Sequence, residues 1–151
     1  MKPETDARTD TRKKILDLAE VLLGKVLLEG GNAAGAEAAV ERALSHGVAV
    51  EDLADTLCRT KLLLGKHAQL LADPRLQPAR LRGSVRRVVL LARAQAQAEL
   101  GQPQAALAEL ALLRADEPDH LGAALAEVPL RLQLAQGREA EAAVARALRL
   151  A

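Results

Sequence analysis

The residues of this chain that could do chemistry are few and far apart. His46, His67 and His120 are separated by 21 and 53 residues, and no Cys or second His stands at metal-ligand spacing from any of them. Each falls at an expected turn and reads as an exposed or capping histidine. Cys58, the single cysteine, has no neighbouring base to raise its thiolate fraction and occupies a small-residue position of a helix, so it reads as a packing residue. The carboxylates are scattered, and no nucleophile elbow, phosphate loop or paired-acid motif occurs. The reading is therefore not an enzyme, with no catalytic residue, metal or cofactor expected. One basic run does stand out: Arg75, Arg80, Arg82, Arg86, Arg87 and Arg93, with no acid between Pro74 and Ala98. A guanidinium grips phosphate or carboxylate through a rigid fork, so the run is a candidate for an acidic partner or for RNA. A solvated helix face, its Arg stems covering apolar surface, gives the same pattern.

Composition narrows the scaffold that must hold these groups. Half of the 151 residues are hydrophobic, mostly Leu and Ala, and Phe, Tyr and Trp are absent. Aliphatic helices approaching closely must supply the core, and neither base stacking nor an aromatic cage is available. A net charge of +1 gives no global field to steer nucleic acid or a membrane. One cysteine excludes an intramolecular disulfide. Lys2, Glu4, Asp6, Arg8 and Asp10 open the chain without an apolar run behind them, and no apolar stretch is long enough to span a bilayer. The expected location is cytoplasmic, or periplasmic if the chain is a fragment lacking its export signal.

The scaffold repeats. Ala36–Leu44 reads AEAAVERAL and returns 104 residues later as AEAAVARAL over Ala140–Leu148. Gly31, Gly65, Gly101 and Gly137 mark the intermediate steps at spacings of 34, 36 and 36, so four copies of a helical repeat are expected. Residues 1–10 read as a disordered tail. Thr11 reads as the cap of a helix through Glu29, with Ile15, Leu16, Leu18, Ala19, Leu22, Leu23, Val26 and Leu27 at helical period. Further helices are expected over 34–45, 50–64, 67–72, 84–100, 103–114, 118–135 (opened by Pro118 and kinked at Pro129) and 138–150. Asp73-Pro74 and Pro78 break the chain over 73–83, making a basic loop that would hinge the N-terminal helices on a stiffer 84–150 unit. The expectation is an all-α antiparallel helix-pair solenoid of about eight helices, a single domain over 11–151. Its pairs are 11–47, 48–83, 84–117 and 118–151, the second degenerate.

These residues resemble tetratricopeptide repeats. Leu23-Gly24, Leu27, Gly31, Ala36, Val40, Ala43 and Val48 fall where that 34-residue motif places its large-small pair, turn glycine, packing alanines and terminal residue. Ala94, Gly101, Ala106, Leu110, Leu113 and Pro118 do the same in the third copy. The second copy keeps Leu57, Cys58, Gly65 and Leu70, and the fourth keeps Leu130, Gly137 and Ala147. Aliphatic residues replace the family's aromatics. A narrower similarity is to the N-terminal part of repeat proteins associated with exosortase and PEP-CTERM systems, carried by GNAAGAE and RAQAQAELGQPQAALAEL. The opening TRKKILDLA is also similar to the first helix of tetracycline-repressor-like factors, but no turn glycine or recognition helix follows it.

The repeat resemblance implies a concave face made by the first helix of each pair. Its ligand-facing positions would include Lys25, Leu28 and Glu29, then Asp55, Arg59, Leu62 and Leu63, then Leu91, Gln95 and Glu99, and finally Arg131. Lys25, Arg59, Gln95 and Arg131 form a ladder of long polar side chains. The expected function is a protein-protein interaction scaffold that takes a protein or peptide segment, acidic if the ladder governs. The alternatives are a self-associating structural module of an exopolysaccharide or protein-sorting assembly, suggested by Leu148 and Leu150 at an uncapped end, and RNA binding through residues 75–93.

Overall fold

The computed structural model describes residues 3–151, with side chains from Asp6 onward. Among the described residues it is all-α, without strands. The helices are α1 (Pro3–Glu29), α2 (Ala33–Ser45), α3 (Val50–Leu63), α4 (His67–Ala72), α5 (Gly83–Glu99), α6 (Pro103–Asp116), α7 (Leu121–Gln133) and α8 (Gly137–Leu150). Pro74–Leu76 and Pro78–Arg80 are single turns of 3-10 helix. Contacts divide the chain into two compact units, Met1–Leu64 and Gly65–Ala151, so the expected second pair, 48–83, is shared between them. In the first unit α2 packs against both α1 and α3, and α1 touches α3. In the second unit α5 pairs with α6, α7 pairs with α8, α6 packs on α7, and α4 packs on α5.

The turns that follow α1, α3, α5 and α7 share one backbone device. Gly31, Gly65, Gly101 and Ala135 all have positive φ, at 81, 70, 70 and 57°. At three of them the same two hydrogen bonds end the helix. Asn32 N–H donates to Leu27 O, Gln102 N–H to Gln97 O and Gln136 N–H to Arg131 O, each at 2.8 Å. The left-handed residue itself donates to Leu28 O, Ala98 O and Leu132 O respectively. This is the Schellman arrangement, which satisfies the last carbonyls of a helix and reverses the chain at once. The fourth turn therefore sits at Ala135, not at Gly137, which is the first residue of α8.

With the turns as reference, side chains repeat by position. Seven residues before each turn stand Gly24, Cys58, Ala94 and Val128, the first three buried and small. Five residues after it stand Ala36, Leu70, Ala106 and Ala140, all buried. The small position lets the two helices of a pair close up: a Cβ on Gly24 would lie 3.2 Å from Val40 Cγ2. In a chain without aromatic residues this close approach is what fills the core.

Several sequence expectations need correction. Residues 3–10, read as tail, are the first turns of α1, while Met1 and Lys2 lie outside the described residues. Thr11 is inside that helix, its hydroxyl donating to Ala7 O at 2.9 Å. Pro118 does not open α7, because His120 caps it: Nδ1 accepts from Ala123 N–H at 3.0 Å. The helix then runs on through Pro129. The apolar set of α1 is not core. Ile15, Leu18, Leu22 and Val26 are 50–63% exposed, since Gly24 and Leu28 form the face buried on the neighbouring helices.

Ala135 holds a conformation that costs a residue with a Cβ about 1–2 kcal/mol, part of which a glycine returns as unfolded-state entropy. Ala135→Gly is expected to stabilise the protein by roughly 0.5–1 kcal/mol, and Gly101→Ala to destabilise it by about the same amount. Urea denaturation of the two variants beside the parent checks both signs.

Candidate functional site

The face expected to meet a ligand belongs to the first helix of each pair, and each unit presents its own portion. In the first unit Lys25 and Glu29 on α1 and Asp55, Arg59 and Leu63 on α3 are exposed, and Leu62 is half-buried. Arg59 faces Asp55 one turn away at 3.9 Å, a weak surface pair that nonetheless offsets its charge. Leu28 does not belong to this surface: it is 5% exposed and part of the core.

In the second unit α5 and α7 lie side by side and enclose an open cavity of about 370 Å³. Gln95 and Glu99 of the expected set line it, joined by Gln133 and Pro129. Its floor is Ala94, Ala98, Ala126 and Leu130. Leu91 instead packs at the edge of the core formed by Leu90, Leu110, Leu113 and Leu130. The ladder also shifts at its last rung. Lys25, Arg59 and Gln95 each precede a left-handed turn by six residues, and the residue in that position of α7 is Pro129. Its missing N–H leaves the Leu125 carbonyl without its helical donor.

Arg131, two residues further on, serves another arrangement. Glu127 is 3% exposed, and three guanidinium groups reach it: Arg131 Nε to Oε1 at 3.1 Å, Arg114 Nη1 to Oε2 at 2.9 Å and Arg146 Nη1 to Oε2 at 3.0 Å. Of this cluster the sequence points only to Arg131, on the groove helix, and not to Glu127, Arg114 or Arg146. The available signal was the Glu127–Arg131 spacing of one helical turn and the retention of an arginine in both AEAAV repeats, Arg42 and Arg146.

The basic run is mostly occupied within the protein. Arg86 Nε donates to Asp116 Oδ2 at 2.6 Å, Arg87 Nε lies 3.2 Å from Glu117 Oε2, Arg93 Nε donates to Glu109 Oε1 at 2.9 Å, and Arg75 Nη2 donates to Asp73 Oδ2 at 2.7 Å. Arg80 and Arg82 are exposed. Two of these arginines also hold the 73–83 segment against α5. Arg93 Nη1 donates to Leu71 O at 3.1 Å, and Arg86 Nη1 to Pro78 O at 2.7 Å. Gln77 Nε2 caps Leu71 O and Asp73 O, and Leu70, Leu76 and Leu81 are buried. The segment expected to be an adjustable loop is thus a bonded wall of the second unit. Its proline-bounded turns leave carbonyls that a helix would have satisfied, and the arginines of α5 supply the donors.

The three histidines occupy helix ends: His46 ends α2, His67 begins α4 and His120 caps α7. Cys58 is buried in α3. Among the described residues no group of three or more His, Cys, Asp or Glu side chains is arranged to hold a metal, and no helix is long and apolar enough to cross a membrane. Comparison of the chain with protein-family models, with curated proteins and with solved structures finds no match.

Removing Arg93 tests the wall. Arg93→Gln takes away the donor to Leu71 O and leaves the buried Glu109 without its cation, a loss of about 2–4 kcal/mol. Amides of 70–81 are expected to exchange hydrogen faster in the variant than in the parent, relative to those of 104–113. Equal protection in the two proteins would show that packing of Leu70, Leu76 and Leu81 alone holds the segment.

Proposed function

We propose that the chain is a tetratricopeptide-type interaction module, without a catalytic role, that binds an extended peptide segment along the α5–α7 face of its second unit. The observation that supports this is the cavity between those helices, because its lining suits a peptide main chain. Gln95 and Gln133 each offer a donor and an acceptor, the groups an extended strand leaves unpaired, and the alanine floor admits one apolar side chain between them. Glu99 is the charged group at this site, so a basic residue in the ligand is favoured here, and the acidic preference suggested by the Lys/Arg ladder receives no support from this unit.

Peptides selected from a displayed library on the immobilised protein provide the probe. Ala98→Arg fills the floor from a half-buried position, and Glu99→Lys reverses the local charge. Affinity for the selected peptides is expected to fall at least about tenfold in Ala98→Arg, equivalent to about 1.4 kcal/mol, and Glu99→Lys is expected to shift selection away from basic residues. A folded Ala98→Arg protein that binds the same peptides unchanged would exclude this face.

Self-association through α1 is a second reading, favoured by the uncovered row of Ile15, Leu18, Leu22 and Val26. An exposed apolar row of this length on one helix face marks an interaction surface. A second copy is the occupant that fits. Arg12 flanks the row near one end and Glu29 near the other, so an antiparallel pair of α1 helices brings opposite charges together at both ends. Sedimentation at micromolar concentration is expected to show a dimer that Leu18→Glu/Leu22→Glu converts to monomer. A parent protein that stays monomeric throughout that range removes this reading.

A further inference from the structure

The three arginines around Glu127 exceed what one carboxylate needs. Elsewhere in the second unit the pairing is one to one: Glu109 with Arg93, Asp116 with Arg86, Glu117 with Arg87. At Glu127 three positive charges meet one negative charge, which leaves two in excess. The guanidinium groups arrive from three different helices, Arg114 from α6, Arg131 from α7 and Arg146 from α8. They border a cavity of about 630 Å³ whose other walls are Ala111, Ala115 and Pro118. Small side chains on those walls leave the space in front of the arginines open.

The donors left over are equally specific. Arg114 and Arg146 each use Nη1 on Glu127, and Arg131 uses Nε on Glu127 and Nη1 on Gln136 Oε1 at 2.7 Å. Nη2 of all three has no acceptor among the described residues. Glu127 thus gathers three guanidinium groups and leaves N–H donors on all three, and the three arginines line one open cavity. That is the arrangement that recognises a tetrahedral oxyanion, with the orientation established before binding.

We propose that this cavity binds a phosphate dianion, either inorganic phosphate or the phosphoryl group of a phosphomonoester. The charge selects the class. A dianion balances the excess of two, whereas a carboxylate would leave one positive charge uncompensated. The volume exceeds that of a phosphate ion and admits an esterified group. Glu127 is the positioning residue, and Arg114, Arg131 and Arg146 make the contacts. The site uses α6, α7 and α8, and it stands or falls independently of peptide binding between α5 and α7.

The test is an NMR titration of the full chain at constant ionic strength, with arginine Nε–H signals observed. The probes are inorganic phosphate, O-phosphoserine and, as a monoanion control, acetate. Saturable shifts at Arg114, Arg131 and Arg146 are expected with the two phosphates and not with acetate. Tighter binding of O-phosphoserine would identify an esterified ligand, and tighter binding of inorganic phosphate the free ion. Affinity is expected to drop at least tenfold in Arg146→Gln and several-fold in Glu127→Gln, which releases the guanidinium groups that the carboxylate positions. Arg114→Gln, at the most exposed of the three, is the second variant should Arg146→Gln lose helicity, with the same tenfold loss expected. Absence of saturation with either phosphate at about tenfold above millimolar concentration, where binding would contribute under 3 kcal/mol, overturns the proposal. So does wild-type affinity in a folded Arg114→Gln protein, and the arginines then serve only to hold Glu127.

Discussion

A helix that ends on a single left-handed residue can be followed by the next helix after one further residue, and the two must then run antiparallel. Gly31, Gly101 and Ala135 impose this constraint on α1–α2, α5–α6 and α7–α8, with the same hydrogen bonds each time. The rest of the packing follows from it. Because the turn is short, residues seven before it and five after it are brought face to face, and those positions must be small or closely fitted. A Cβ on Gly24 would lie 3.7 Å from Ala36 O and 3.2 Å from Val40 Cγ2, one turn further on, which shows how tight the fit becomes. Function inherits the same constraint, since the turn decides which face of each first helix is left outside.

Much of this was legible in the sequence, because turn chemistry and helix period are local. The expected limits of α2 to α6 and of α8 lie within two residues of those observed. The fourth turn was misread because a glycine, Gly137, lies two residues from the true position and looked like the marker. The 104-residue return of AEAAV already carried the answer, since the same offset from Gly31 falls on Ala135. Once the marker was misplaced, the last rung of the ladder followed it to Arg131, when Pro129 is the residue in register. The exposure of Ile15, Leu18, Leu22 and Val26 was not legible at all. Periodicity reports that a face is apolar, and it cannot report whether another helix is present to cover it.

Arginine does structural work here that aromatic residues often do elsewhere. With no large planar side chains to span gaps, Arg86 and Arg93 reach from α5 to carbonyls of the 71–78 stretch while their other nitrogens meet Asp116 and Glu109. The acid-free run over 75–97 looked like a charged surface because the acidic partners of Arg86, Arg87 and Arg93 lie further along the chain, on and just after α6. Charge runs in sequence mislead in this way whenever the balancing residues are distant in sequence and close in space. The opposite part of α5 is free of this network, and there Gln95 and Glu99 line the cavity beside α7.

The register of the whole repeat rests on Ala135 adopting the conformation that glycine adopts at the other three turns. NMR measurement of the sign of φ at Ala135, by cross-correlated relaxation in the full chain, tests this most directly. A positive φ together with slow exchange of the Gln136 amide is the expected result. A negative φ at Ala135, with the left-handed residue at Gly137 instead, would contradict the register, and with it the alignment of Pro129 with Gln95 across the proposed peptide site.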